Sequence, residues 1–462
     1  MHQDAQEAER RCGDRPPLDD DLSPVEYLPG SRQKAGMGSG GRAVSEGRGS
    51  QPASGPDAPE GLRTAQGLRS DRIPAMRGLL PAAAGLFAWA LVAGPKPPDI
   101  PFLKRTIDTG ANEAAAICDI NKDGLPDIVS GENWYEAPRW RKHRFRDLHF
   151  QNNYIDDFSD LAMDVDGDGW IDIISPGWFS KEIAWHRNPG RTGAKWEKRI
   201  VVAGYNTEFA FLVDMDNDGK AREVLPQFGG VKSPTAWYEF QNGAWVERRI
   251  SDRGHGHGIG AGDLNGDGRT DVLTPQGWYE APADPRAGGW QWHADWDFKE
   301  HLSFMHVHDV DGDKQPDIVY GHAHDYGLFW LRKKAGGGWE RLEIDKFWSQ
   351  VHAVTLVDLN GDGKLDILTG KRFLAHDFDP GARDPNGIYW YETIPAPDGK
   401  GIQWVRHIID YSSAAGAGMQ LPVADLDGDG DLDFVAPGKS GLYLFENLTK
   451  TKGASSGSQV RR

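Results

Sequence analysis

Cysteine is nearly absent from this sequence. Cys12 and Cys118 are the only two in 462 residues, too few for a disulfide framework. Basic residues are also in short supply: Lys and Arg number 52 against 69 Asp and Glu, for a formal net charge of −17. That balance argues against a nucleic-acid partner, because phosphate binding needs clustered cations. No helical period of useful length follows residue 100. No GxSxG, P-loop or GxGxxG occurs in a fitting context, so serine hydrolysis, phosphoryl transfer and hydride transfer lack support.

Long apolar runs are missing too, with one exception, Gly78 to Ala93. At 16 residues it is short for a membrane span, which needs about 20. Arg77 precedes it and small residues follow, so Met76–Pro98 has the layout of a signal peptide. The expected location is therefore extracytoplasmic, periplasmic or secreted, with no membrane span after cleavage. Residues 1–75 are rich in Gly, Arg, Ser, Pro and Asp without an apolar period. They are expected to be disordered, or to be an upstream segment of a chain that starts at Met76.

What the sequence does have is a repeat. One nine-residue pattern, D-x-[DN]-x-D-G-x-x-D, recurs seven times. Its acidic and amide positions are Asp119, Asn121, Asp123 and Asp127; then Asp164, Asp166, Asp168 and Asp172; then Asp214, Asp216 and Asp218. The later copies hold Asp263, Asn265, Asp267 and Asp271; Asp309, Asp311, Asp313 and Asp317; Asp358, Asn360, Asp362 and Asp366; and Asp425, Asp427, Asp429 and Asp433. Their starts lie 45, 50, 49, 46, 49 and 67 residues apart, a period that signals a propeller or solenoid.

Around each pattern a short apolar strand enters and a β-branched strand such as DIVSG or DVLTP leaves. An aromatic strand such as NWYEAP follows, and in most repeats a fourth, such as WVERRIS. Four strands separated by turns make an antiparallel blade. The seventh repeat lacks its fourth strand. Residues 101–110, PFLKRTIDTG, resemble the missing piece and would close the ring, removing the open ends of a linear stack. The expected fold is all-β: a seven-bladed β-propeller of four-stranded antiparallel blades over residues 99–448, with a disordered tail at 449–462. The Trp and Tyr of the aromatic strands are expected to pack between blades.

Oxygens at loop positions 1, 3, 5 and 9, with a carbonyl near 7, can surround a hard cation, and Gly at position 6 permits the sharp turn. This is calcium chemistry. Several structural calcium ions are therefore expected, and they would offset most of the negative charge. Two loops depart from the pattern. Arg222 stands at position 9 of the third, where its guanidinium could replace the ion among Asp214, Asp216 and Asp218. Lys314 stands at the glycine position of the fifth.

These motifs resemble FG-GAP/VCBS repeats, as in the integrin α-subunit propeller and many secreted bacterial proteins. The resemblance covers about three quarters of the chain and implies calcium-stabilised blades. The family includes adhesion modules and enzymes.

Strand direction places the start of each first strand and the end of each second strand on the face opposite the Asp loops. Glu113, Glu208, His257 and His352 fall at the former position, and His322 and Lys371 at the latter, with Arg372, His324 and His376 nearby. Such a set at a channel mouth could hold one transition metal or supply general acid/base pairs. The pairs His255/His257 and His322/His324 have the i, i+2 spacing that puts both rings on one strand face. His306 and His308 are expected in the core. A long polar loop, Lys371–Gly387, joins two strands of the sixth repeat on the same face and reads as a lid or binding loop.

Two functions follow. One is a carbohydrate lyase or isomerase: the chain also resembles the propeller part of fungal aldos-2-ulose dehydratase, which implies removal of water from a keto sugar with metal assistance. His257, His352, Glu113, Glu208 and His322 would then serve the proton transfers, and Lys371 or Arg372 would hold an enolate-like oxygen. The alternative is a non-catalytic module that binds glycans or a protein partner.

Overall fold

The computed structural model describes residues 96–151, 154–190, 195–376 and 378–450. The segment expected to be disordered or upstream, most of the expected leader and nearly all of the expected tail lie outside them. Among the described residues there is no α-helix, only one short 3-10 turn at Pro285–Ala287. No helix there is long and apolar enough to cross a membrane.

The chain builds a β-propeller of four-stranded antiparallel blades. The third repeat is a representative case, running through Thr207–Val213, Glu223–Phe228, Thr235–Gln241 and Ala244–Ser251 in spatial order. Its second and third strands are mostly buried, and its fourth is largely half-buried or exposed. The fourth strand of the last sheet is Phe102–Asp108, paired antiparallel with Gly441–Asn447 from Phe102↔Asn447 to Asp108↔Leu442. The two ends of the described fold therefore meet in one sheet.

The expectation of seven separate blades needs correction. Five four-stranded sheets stand alone, while the fourth and fifth repeats run together into one eight-stranded sheet. Their first strands, Ile259–Gly262 and Phe304–His308, pair in parallel. Glycine makes this approach possible. A Cβ on Gly260 would lie 2.1 Å from the Met305 carbonyl oxygen, and one on Gly262 would lie 2.7 Å from Val307 Cβ.

The aromatic strands pack inward. Trp185, Trp237 and Trp390 are among the largest fully buried side chains. Three WYE strands share a cross-strand arrangement. Trp134 stacks on His143, Trp278 on His293 and Trp390 on His407. Each histidine also reaches the glutamate of its own WYE, at 2.6 to 2.8 Å.

The Asp loops share one geometry. The position-1 carboxylate accepts the amide of residue 6, as Asp263 does from Gly268 at 2.8 Å. Residues 4 and 6 have positive φ; in the first loop these are Lys122 at 61° and Gly124 at 86°. The position-9 carboxylate is buried and ties the loop to the third strand. Asp127 accepts from Ile120 at 3.1 Å and from Ala137 at 2.8 Å.

The third loop differs from expectation. Arg222 is exposed, and the strand starts one residue later, at Glu223. The longer Glu223 side chain spans the extra residue and accepts the Met215 amide at 2.9 Å. Asp216 is instead met by Arg286. In the fifth loop Lys314 takes the glycine role with φ 69° and still donates its amide to Asp309 at 2.9 Å. A left-handed residue with a Cβ costs about 1–2 kcal/mol. Lys314→Gly is therefore expected to stabilise the protein by about 1 kcal/mol after the entropy cost of glycine. Urea unfolding measures this, and an unchanged or lower midpoint would refute it.

Candidate metal centre

First strands of several neighbouring repeats lie side by side, those of the fourth, fifth and sixth among them, and residues at the starts of such strands converge. Glu208 is the second residue of Thr207–Val213, and His352 is the second of Val351–Val357. His257 lies two residues before Ile259–Gly262. These three come together with His324, from the turn that follows Asp317–Gly321. One ligand atom from each of the four lies within 4.8 Å of the others.

The contacts orient the donors. His257 Nδ1 lies 2.8 Å from the Leu302 carbonyl oxygen, and His257 Nε2 lies 2.7 Å from Glu208 Oε2. The carbonyl accepts from Nδ1, which turns Nε2 toward Glu208 and the cluster. His352 Nε2 is 3.7 Å from Glu208 Oε1. While His257 Nε2 is paired with Glu208, the Nε2 atoms of His324 and His352 are buried without a hydrogen-bond partner. Buried polar atoms are rarely left so, and three imidazoles and a carboxylate with ligand atoms this close match a transition-metal donor set.

The electrostatics favour that state. Burial works to raise the Glu208 carboxyl, but His257, His352 and Arg372 hold it well below the usual carboxylate range. Burial, then Arg372, pushes His352 down to about 3. Burial, then the His257 charge, depresses His324. The site therefore offers an anionic carboxylate and, at His324 and His352, neutral imidazoles, the forms that bind metals.

Glu113 and Arg372 stand beside the cluster in another capacity. Arg372 is 1% exposed and donates from Nε to Glu113 Oε2 and from Nη1 to Glu208 Oε1, both at 3.0 Å. Those two bonds make Arg372 a positioning residue for Glu208, while its Nη2 is buried without a hydrogen-bond partner. Lys371 is likewise buried. Its ammonium binds Ser349 Oγ and the Gly381 carbonyl, which fastens the Lys371–Gly387 loop to the sheet. Burial lowers it to about 8.

His322 does not join the cluster. It follows the end of its strand, where alternation no longer governs direction, and its Nε2 lies 2.7 Å from Arg341 Nη2. Burial, then Arg341, pushes it to about 4. It lines a separate cleft of about 550 Å³ with Glu300, Tyr326 and Phe329. His255 also turns away, held by Gln276 at 2.9 Å and Tyr279 at 2.8 Å. His306 is fixed by the Val354 carbonyl at 2.8 Å.

Three residues that sequence reasoning did not select border the site. His301 Nδ1 lies 2.9 Å from His324 Nδ1. Asp379, in the long loop, has Oδ2 at 3.6 Å from His324 Nδ1. Burial, then Asp325, raises Asp379 to about 6. Phe209 packs edge-on against His257 at 5.0 Å. Only the loop carried a signal, through its length and place.

Propeller blades closed by Asp-loop turns, with polar side chains gathered opposite those turns, define the class of this protein. Residues 164–221 and 309–369 match the FG-GAP-like repeat, so the chain carries repeats of that kind. A T-cell immunomodulatory protein homolog of Plasmodium yoelii yoelii is 28% identical over 167 residues, 30% of this chain and 21% of that protein. The chain thus matches only about a fifth of that relative's length. The V. cholerae biofilm matrix protein Bap1 has 12% identity and a TM-score of 0.39, with 76% of this chain and 91% of that one covered. The Cps50 (Swd1) β-propeller domain of Myceliophteria thermophila has 9% identity and a TM-score of 0.44, with 75% and 100% covered. None of these bears on activity.

Proposed function

We propose that the protein is an extracytoplasmic, calcium-stabilised propeller that holds a transition-metal ion at Glu208, His257, His324 and His352, and that it acts on a keto sugar as a lyase or isomerase. The observation that carries this reading is the convergence of three buried or half-buried imidazoles on one carboxylate, with Nε2 of His324 and of His352 left without a hydrogen-bond partner. A simple adhesive surface has no need of such a group. An ion there would polarise a carbonyl or hydroxyl of the sugar. Arg372, itself held by Glu113, keeps Glu208 charged and in place. The resemblance to the propeller of aldos-2-ulose dehydratase supports the substrate class.

Calcium is proposed for the Asp loops. Carboxylate oxygens of Asp164, Asp166 and Asp172 lie within 4.8 Å of one another, as do those of Asp214, Asp216 and Asp218, and of Asp309, Asp311 and Asp317. Hard oxygen donors in that number suit calcium. We read the eight-stranded sheet as two blades with joined inner strands, which gives one blade per repeat.

The test is elemental analysis of the wild type beside a His257→Ala/His352→Ala variant, both in excess calcium. The wild type is expected to retain a transition metal that the variant loses, and to convert keto sugars in a screen where the variant is inert. If both hold calcium alone, the metal centre is refuted, and binding of glycans or a protein partner becomes the leading function.

A further inference from the structure

The Lys371–Gly387 loop reaches the metal centre with donors of its own. His376 and Asp379 come from this loop, and one ligand atom from each lies within 4.8 Å of one on His324. Asp379 Oδ2 is buried and has no hydrogen-bond partner, although His324 Nδ1 is only 3.6 Å away. The rings of His324 and His376 lie 4.5 Å apart, at 64° between planes. His324 is common to this group and to the cluster of Glu208, His257 and His352. His324 Nδ1, 3.6 Å from Asp379 Oδ2 and 2.9 Å from His301 Nδ1, faces this second group. To bind an ion at each nitrogen the ring would release its N–H proton to solvent and serve as an imidazolate.

We propose that the mouth holds a second transition-metal ion, bound by His376, Asp379 and His324 next to the first. This deepens the proposed function and rests on it, since His324 serves both ions. The donor set of two imidazoles and one carboxylate, with an open fourth position, is that of a catalytic zinc rather than a closed structural one. Paired ions can clamp two oxygens of one substrate. The adjacent hydroxyl and carbonyl of a keto sugar supply two such oxygens. The loop would then be more than a cover: it brings two of the three ligands of the second ion with it.

Lys371 anchors the loop independently, through Ser349 and the Gly381 carbonyl. Changes at His376 and Asp379 therefore leave that anchor in place.

The experiment loads the full chain with zinc in excess calcium, removes loose metal by gel filtration and counts the zinc. Cobalt(II) titration followed by visible absorption gives an independent readout. The wild type is expected to retain two equivalents and to titrate in two phases. His376→Ala/Asp379→Asn should retain one equivalent and show one phase. Asp379→Asn alone, which keeps the side chain's shape, should weaken the second phase and spare the first. One equivalent in the wild type, unchanged in the loop variants, would overturn the second ion and leave the first standing. No retained zinc in the wild type would overturn both.

Discussion

Chelating calcium is expected to lower the melting temperature by about 15 °C. Each loop filled at a hundred times its Kd adds about 2.7 kcal/mol. Three such loops, at roughly 2 °C per kcal/mol for a domain of this size, account for the shift. The cause lies in the loops. Asp164, Asp166 and Asp168 gather around one turn, with Arg187 as the counter-charge to the last two, at 2.6 Å. Without an ion, carboxylates repel one another across each such turn. Calorimetry in EGTA and then in millimolar calcium measures the change. A shift below about 3 °C would reduce the loops to turns that need no metal.

Arg372→Met should be among the most damaging single substitutions in the fold, destabilising it by about 3–5 kcal/mol, the range for removing one partner of a buried ion pair. Arg372 is the shared counter-ion of Glu113 and Glu208, which are 0% and 6% exposed. Methionine fills much of the volume but leaves both carboxylates without that charge. Adding Glu113→Gln should recover part of the loss, because it removes one of the two stranded charges. Zinc should narrow the gap further, since an ion at Glu208 supplies positive charge where the guanidinium stood. Urea unfolding of the single and double variants, with and without zinc, measures all three effects. A loss under about 1 kcal/mol for Arg372→Met would mean that water or a proton already compensates these carboxylates.

Much of this architecture can be read from the sequence because its determinants are periodic. The Asp loops recur in register, and each fixes where one strand ends and the next begins. Hence Glu208, His257 and His352, equally placed before their loops, meet at one site. The strand Phe102–Asp108 was legible for a complementary reason: the seventh repeat visibly lacked a partner for its edge. What escaped is governed by local departures from the period. His324, legible only as a neighbour of the candidates, and Asp379, not legible at all, sit in turns, where no alternation rule gives a side-chain direction. His322 was misplaced by applying that rule one residue past the strand end. Glu223 was hidden by a single extra residue. The merged sheet depends on Gly260 and Gly262, whose missing side chains mattered only once the facing strand was known.

That merged sheet bears on how the ring can loosen. Where blades merely abut, a seam between them can open without breaking backbone pairing. Between the fourth and fifth repeats, main-chain hydrogen bonds weld the seam shut, so His257 and His324 ride on one stiff panel. Glu208 and His352 ride on the panels to either side. An ion shared by all four residues would act as a rivet across the two seams that flank this panel, coupling closure of the ring to occupancy of its mouth.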